Sequence, residues 1–309
     1  NYLNGLHDTV AWAAEGRTAV FDYDYYTEGV GKQGRLKSIT QRIDGIDLQR
    51  VGYDYYQVGD HGEAGDLKEV VVQDWKVGSS AWVTIRRTIY RYYKVDEPGG
   101  FPHGLKMVIG PDGCRRLQAA GLDPFGITDA VMLGYSDFLF EYDDQRRVTM
   151  EKVHGGSQTI RYDYVENADK PPFSEVNTWA TKTTETRADG NQIVVYSNRG
   201  GKPILHMLKK VSDGAIWADY REYNDNYQTV LMASPAAVKS VTEPVGDSGD
   251  LVVVLNDSSG LVRRFEYNIK GSAAEGYVKA GLAQPGKATD QAITTTSYRY
   301  GTHGAGNSK

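Results

Sequence analysis

Phe21-Asp-Tyr-Asp-Tyr-Tyr26, followed after a glycine-rich stretch by Gly34-Arg-Leu-Lys-Ser-Ile-Thr40, is the segment from which the rest of the chain reads as copied. Successive side chains of a strand point to opposite faces, and aromatic rings pack well on a half-buried pleated surface. The alternation therefore predicts a strand with Phe21, Tyr23 and Tyr25 on one face. Thr27 to Gly34 holds three glycines and no apolar period. It reads as a hairpin loop whose return strand carries Leu36 and Ile39.

Two close copies follow. Tyr53-Asp-Tyr-Tyr56 leads through a loop with Gly59, Gly62 and Gly65 to Leu67-Lys-Glu-Val70, and Tyr90-Arg-Tyr-Tyr93 leads through Pro98, Gly99, Gly100 and Gly104 to Leu105-Lys-Met-Val108. The first Tyr stands 13, 14 and 15 residues before the Leu, so the strands keep their pattern while the loop lengthens. Looser echoes appear at Phe140 to Thr149, Ile160 to Tyr164, Val195 to Gly201, Tyr220 to Tyr223, Phe265 to Tyr267 and Ser297 to Tyr300. The residues that define the repeat are Tyr23, Asp24, Tyr25, Gly34 and Leu36; Tyr53, Asp54, Tyr55 and Leu67; Tyr90, Tyr92 and Leu105; Tyr142 and Asp143; and Tyr162 and Asp163.

Tyr-Asp before a glycine-rich turn and Arg-Leu or Arg-Val, recurring from about Phe21 to Tyr300, resembles the Rhs or YD-repeat family. The resemblance implies a long strip of β-hairpins spiralling into a hollow shell, as in insecticidal toxin complexes, bacterial polymorphic toxins and teneurins. It also implies a secreted or cell-surface setting. The spacing is irregular, and Arg91, Ser197, Arg221 and Arg299 stand where the family has Asp. Asp123-Pro-Phe-Gly126 matches a short Asp-Pro-x-Gly element that in the family accompanies self-cleavage. Its aromatic-rich flanks are absent here and repeats continue beyond it, so the ordinary reading is an Asp-Pro turn.

The 309 residues include 22 Tyr and 35 Gly against 5 Met and 7 Phe, a balance that favours strands and turns. The mean hydropathy is −0.51, and no run approaches the ~18 apolar residues of a membrane helix. The net charge of −5 gives no basic footprint for nucleic acid. The single Cys114 excludes an internal disulfide and a cysteine-based zinc site. The chain opens on Asn1-Tyr-Leu-Asn without Met and closes soon after a repeat echo, which reads as one continuous assembly over 1–309 cut from a longer protein.

Strands are expected near 18–26, 35–42, 49–56, 67–77, 81–93, 105–109, 137–143, 147–153, 158–165, 179–186, 192–196, 203–210, 216–223, 227–232, 250–255, 261–268, 276–280 and 293–300. Gly110-Pro-Asp-Gly113 reads as a turn. Residues 114–133 break the strand pattern and read as an insertion with a short helix stopped by Gly121 and Pro124. Asn256 to Gly260 reads as the turn joining two tail strands into a hairpin. The loops 27–34, 57–66 and 94–104 are expected to face solvent and to accept insertions.

Chemistry is sparse. Asp22 and Asp24, two apart on a strand, share a face and could hold a cation or act as an acid/base pair; the plainer reading is a solvated polar face. The six histidines (7, 61, 103, 154, 206 and 303) show no metal-binding spacing, and several adjoin Gly as loop residues do. Gly110-Pro-Asp-Gly-Cys114 and Arg199-Gly-Gly-Lys202 lack phosphate-loop spacing. No nucleophile, base and orienter can be assembled.

The reading is an all-β, curved or spiralling strip of antiparallel hairpins, non-enzymatic, without cofactor or metal, forming a shell or wall. Its expected partners are flanking repeats of the same polypeptide or identical subunits, and an enclosed cargo polypeptide. The strand-prone Ala292 to Tyr300 is expected to promote self-association through an uncovered edge. The rival is a carbohydrate- or receptor-binding module in which exposed Tyr and Trp stack on a glycan.

Overall fold

In the computed structural model, residues 2–3, 6–7, 9–14, 16–57 and 61–300 are described; Gly59 and His303 fall outside them. The chain is nearly all β and divides into two compact units, Asn1–Ile160 and Arg161–Lys309.

In the first unit a two-residue pair, β1 (Tyr2–Leu3) with β2 (Leu6–His7), precedes nine strands, each antiparallel to the next. These are β3 (Thr9–Ala14), β4 (Arg17–Tyr25), β5 (Leu36–Ile43), β6 (Ile46–Tyr55), β7 (Leu67–Lys76), β8 (Ala81–Tyr92), β9 (Leu105–Ile109), β10 (Phe138–Tyr142) and β11 (Val148–Val153). Between β9 and β10 the chain leaves the sheet for α1 (Pro111–Ala119) and α2 (Asp129–Leu133), yet β9 and β10 still pair, Met107 opposite Leu139.

The second unit repeats the plan. β12 (Gln158–Glu166), β13 (Thr181–Thr186), β14 (Gln192–Ser197), β15 (Pro203–Lys209), β16 (Ile216–Tyr223) and β17 (Thr229–Ala233) run in sequence order. The chain then leaves for the hairpin of β18 (Val238–Thr242) and β19 (Val252–Leu255). It returns through β20 (Leu261–Tyr267), paired with β17, to β21 (Val278–Pro285) and β22 (Ile293–Ser297). Besides the β1–β2 and β18–β19 pairs, eighteen strands make up the antiparallel ladder, nine in each unit.

One irregularity recurs. The register slips by a bulge at Asp24/Tyr25, Asp54/Tyr55, Arg91/Tyr92, Glu141/Tyr142, Tyr196/Ser197, Glu222/Tyr223 and Glu266/Tyr267, each time at the loop end of the outgoing strand. A bulge adds one residue, sharpens the local twist and re-aims the side chains that follow. After the first three bulges the next residue, Tyr26, Tyr56 or Tyr93, reaches the neighbouring hairpin.

Each unit has its own core, made by capping one sheet face with its insert. Ile89, Met107, Ile109, Leu139 and Met150 lie beneath Cys114, Leu117 and Met132 of the first insert. Val194, Tyr196, Leu205, Met207 and Ala218 pack with Trp179 beneath Val238, Val241 and Val253 of the second, and Leu231, Ala233 and Val262 meet Ala237 and Leu255.

Four local expectations are corrected. Gly110 to Gly113 is not a turn: Pro111 takes the first helical position of α1, where its fixed φ is pre-set and its missing N–H costs nothing. Gly113 fits because a Cβ there would sit 2.1 Å from the Tyr135 carbonyl oxygen. The tail hairpin across 256–260 does not form. β19 instead pairs with β18, because its valines gain a partner and a sheet face to cover together. Trp179 does not begin a strand; it is buried, and its indole donates to the Gly249 carbonyl at 2.8 Å.

The fourth correction concerns the loops. Most residues of 27–34 and 94–104 are exposed as expected, but in 57–66, of which 58–60 lie outside the described residues, Gly62 and Gly65 are buried, and the loops interlock. The Gly65 amide lies 2.4 Å from where a Cβ on Gly31 would be. His103 Nδ1 meets Asp66 at 2.8 Å, and Tyr142 N donates to Gly99 O at 2.8 Å.

Candidate functional site

The interlocked loop margin is built by tyrosines just beyond the strands. Tyr26 N donates to Arg35 O, Tyr56 N to Asp66 O and Tyr93 N to Gly104 O, so this position closes each long loop. The same residue reaches forward to the next hairpin. The hydroxyl of Tyr26 donates to the Tyr53 carbonyl at 2.9 Å, that of Tyr56 to Tyr90 at 3.1 Å and that of Tyr93 to Phe140 at 2.8 Å. Burial pushes the Tyr26 hydroxyl up to about 12 and those of Tyr56 and Tyr93 upward too, so all three stay protonated donors.

At three later strands the stitch runs in the other direction. Tyr142, Tyr223 and Tyr267, each at its bulge, donate backward to the carbonyls of Leu105, Pro203 and Thr229 at 2.7, 2.7 and 2.9 Å. Those acceptors are the residues paired with the preceding bulge. After the bulges at Tyr142, Ser197 and Tyr223 the next residue closes a tight turn. Asp143 accepts from Gln145 N and Arg147 N, Asn198 from Lys202 N, and Asn224 from Asn226 N and Gln228 N.

Against this frame, the sequence-marked residues sort by position. Tyr25 pairs directly with Leu36, Tyr55 with Leu67 and Tyr92 with Leu105 across the bulged rung. Tyr23, Tyr53 and Tyr90 lie two residues earlier, half-buried, with Tyr53 and Tyr90 offering the stitched carbonyls. Gly34 has φ +77 and its N–H donates to Tyr26 O. Asp24 pairs with Lys37 at 3.1 Å, and Asp54 with Lys32 at 2.5 Å and Lys68 at 3.6 Å, so both are strand residues in ion pairs. Asp143 is the turn-forming Asp. Tyr162 and Asp163 sit mid-strand in β12, opposite Glu185 and Thr184. Tyr26, Tyr56 and Tyr93 escaped the sequence reading because strand alternation ends one residue before them.

Arg91, at the position where other repeats carry an acid, anchors the first insert. It is fully buried and gives Asp129 a 2.5 Å ion pair, and it donates to the carbonyls of Pro124 and Ile127 at 2.7 and 2.8 Å. Asp123-Pro-Phe-Gly126 is thus a turn, closed by Asp123 Oδ1 accepting from Phe125 N at 3.0 Å and held from beneath by a guanidinium. Lys106 also grips Asp129 and Glu97, and His61 lies 3.8 Å from Asp129. Burial pushes the Asp129 carboxyl up, but the bonds from Lys106 and Arg91 outweigh it and hold the group below the usual carboxylate range. The second insert is held alike: Glu243 takes Lys182 at 3.1 Å, Lys209, and the Tyr196 hydroxyl at 2.8 Å.

The remaining polar candidates are occupied locally. Asp22 bonds Arg42, which also reaches Asp47 at 2.6 Å, so Asp22 and Asp24 have separate partners. His206 is 3.9 Å from Asp219, both half-exposed, and His154 sits in a turn with φ +51. Burial pushes the Cys114 thiol up to about 11, away from the reactive thiolate. Among the described residues no group of His, Cys, Asp and Glu could hold a metal ion, and no helix is long and apolar enough to cross a membrane. A cavity of about 700 Å³ lies between β7, β8 and α1.

No family model and no curated protein matches the sequence. Among solved structures the chain is similar to TcdB2-TccC3-Cdc42, with 10% identity and a TM-score of 0.30, and to the Photorhabdus luminescens Tc holotoxin pore, with 10% identity and a TM-score of 0.28. In both cases 93% of this chain is covered, and it spans 15% of the length of the matched chain. A porin-like protein from Bacteroides uniformis is 12% identical over 89% of this chain and 88% of its own, with a TM-score of 0.18. Likenesses this distant assign neither a family nor an activity.

Proposed function

We propose that this chain is a non-enzymatic wall segment of a larger Rhs-like protein, secreted or on the cell surface, whose hairpin strip encloses a polypeptide or builds an extracellular structure beside flanking repeats or identical subunits. One observation carries the reading: tyrosines at or just past the recurring bulges donate their hydroxyls to carbonyls of a neighbouring hairpin, tying each to the next. A fold invested this way serves as a barrier. The test is protease resistance of the native chain against the Tyr56→Phe/Tyr93→Phe double variant. The parent should be cut slowly and first at exposed turns such as 77–80, and the variant should be cut within its strands. Equal susceptibility of the two, or turnover of a glycoside or peptide substrate by the parent, would overturn the wall reading.

A second reading, a glycan-binding module, has one observation in its favour. Tyr277, Tyr298 and Tyr300 are 61%, 50% and 46% exposed, with the rings of Tyr298 and Tyr300 stacked at 6.5 Å. Saturable binding on a glycan array, lost in Tyr277→Ala at unchanged melting temperature, would favour it.

A further inference from the structure

The 700 Å³ cavity is one end of a longer trough. Its floor residues Glu69 and Val71 also line a second depression of about 350 Å³, which runs on past Arg50 and Gln73 to Lys37 and Asp24. From β4 to β8 the trough crosses four strand spacings, about 19 Å. That length fits about six residues of extended chain.

The lining is apolar at the base and cationic at the rim. Val71 and Leu122 contribute half-buried apolar surface, and Ile85, left out of the ladder by the bulge between Val72 and Gln73, adds an exposed apolar group. The carboxylates are matched: Asp24 by Lys37, Asp54 by Lys32 and Lys68, and Glu69 by Arg87 at 2.7 Å. Three arginines are not neutralised in this way. Arg86 has no ion pair among the described residues, Arg115 has only the solvent-exposed Asp112, and Arg50 bonds the neutral Gln73 at 2.7 and 3.1 Å.

We infer that this trough is a docking groove for an extended polypeptide segment in which acidic residues alternate with apolar ones. The apolar floor takes the latter, and Arg50, Arg86 and Arg115 take the former. A compact anion beside Arg86 and Arg115, which line one cavity, would leave Arg50 unmet and most of the trough unfilled, whereas an extended chain reaches from Arg50 to Arg115. The groove stands whether or not the strip is a wall, since the tyrosine stitches do not line its α1 end.

The probe is a fluorescein-labelled peptide of about ten residues alternating glutamate and leucine, with glutamate–serine and lysine–leucine peptides as controls. Anisotropy is read with the full chain at low salt and compared with Arg86→Glu/Arg115→Glu, both exposed positions. The native chain should bind the glutamate–leucine peptide saturably. The double variant should bind it on the order of tenfold more weakly and gain affinity for lysine–leucine. The groove is ruled out by no saturable binding to the native chain, by equal affinity in the double variant, or by glutamate–serine binding as well as glutamate–leucine.

Discussion

Tyr56 shows what one side chain contributes. Its ring is buried, its amide closes a loop, and its hydroxyl reaches a carbonyl 34 residues away. Tyr56→Phe keeps the ring and leaves the Tyr90 carbonyl without that donor, which should cost about 1 kcal/mol in urea unfolding. Tyr56→Ala also empties the space and should cost about 3–5 kcal/mol, more than the same change at the half-buried Tyr25. Glycines must lie on these rings: a Cβ at Gly62 would stand 2.6 Å from Tyr56 and one at Gly100 2.1 Å from Tyr93. Gly100→Ala should therefore lower the melting temperature, by pushing the loop off the ring. Alternation along a strand marks Tyr23 and Tyr25, but it is silent on Tyr26, whose partner lies 27 residues on. The sequence shows where a ring sits in its own strand and not which hairpin it reaches.

At the scale of elements, what was legible was local. β9 occupies 105–109 as its apolar run predicts, and β7 differs from expectation by one residue. The β18–β19 hairpin was missed because its stability comes from the sheet it covers, a non-local gain that no window of sequence contains. The loop 57–66 was misjudged likewise: glycine-rich composition signals a turn but does not tell a solvent-facing turn from one laid on a tyrosine, as Gly62 is. An insertion after Gly62 should unfold the first unit, and one between Ser79 and Ser80, both exposed, should leave its circular dichroism unchanged. The insert clamp gives a prediction with a pH sign. A carboxylate whose folded pKa is lowered stabilises the fold fully above its unfolded value of about 3.9 and loses that contribution as pH falls through the lower folded value. Asp129→Asn leaves the buried Arg91 without its counter-charge and should cost about 3 kcal/mol at pH 7, the low end for a buried pair because Asp129 is partly exposed. Chemical unfolding at pH 7 and pH 3 should show the gap between parent and variant closing toward acid.

For the whole molecule, two cores imply two cooperative transitions. The first holds Met107 and the second Leu205, each fully shielded within its own unit. Either residue changed to Ala should cost about 2–5 kcal/mol. In calorimetry Met107→Ala should move one transition and Leu205→Ala the other; a single peak shifted equally by both would show one cooperative body. The repeat pattern revealed the hairpins, but Tyr-bearing strand motifs occur on both sides of the boundary and do not announce where one core ends.

The recurring bulge also bears on how such a chain can change over generations. Losing one residue inside a strand would turn its side chains to the wrong face, an error that spreads to the end of the strand. Removing a whole hairpin does not, because each copy restores its own frame opposite Leu36, Leu67 or Leu105. Without the β6–β7 copy, the hydroxyl of Tyr26 would meet the carbonyl of Tyr90 where it now meets that of Tyr53, the same place in the motif. The hairpin is therefore the heritable word of this chain: unequal recombination between copies can shorten or lengthen the text while every remaining word stays in frame.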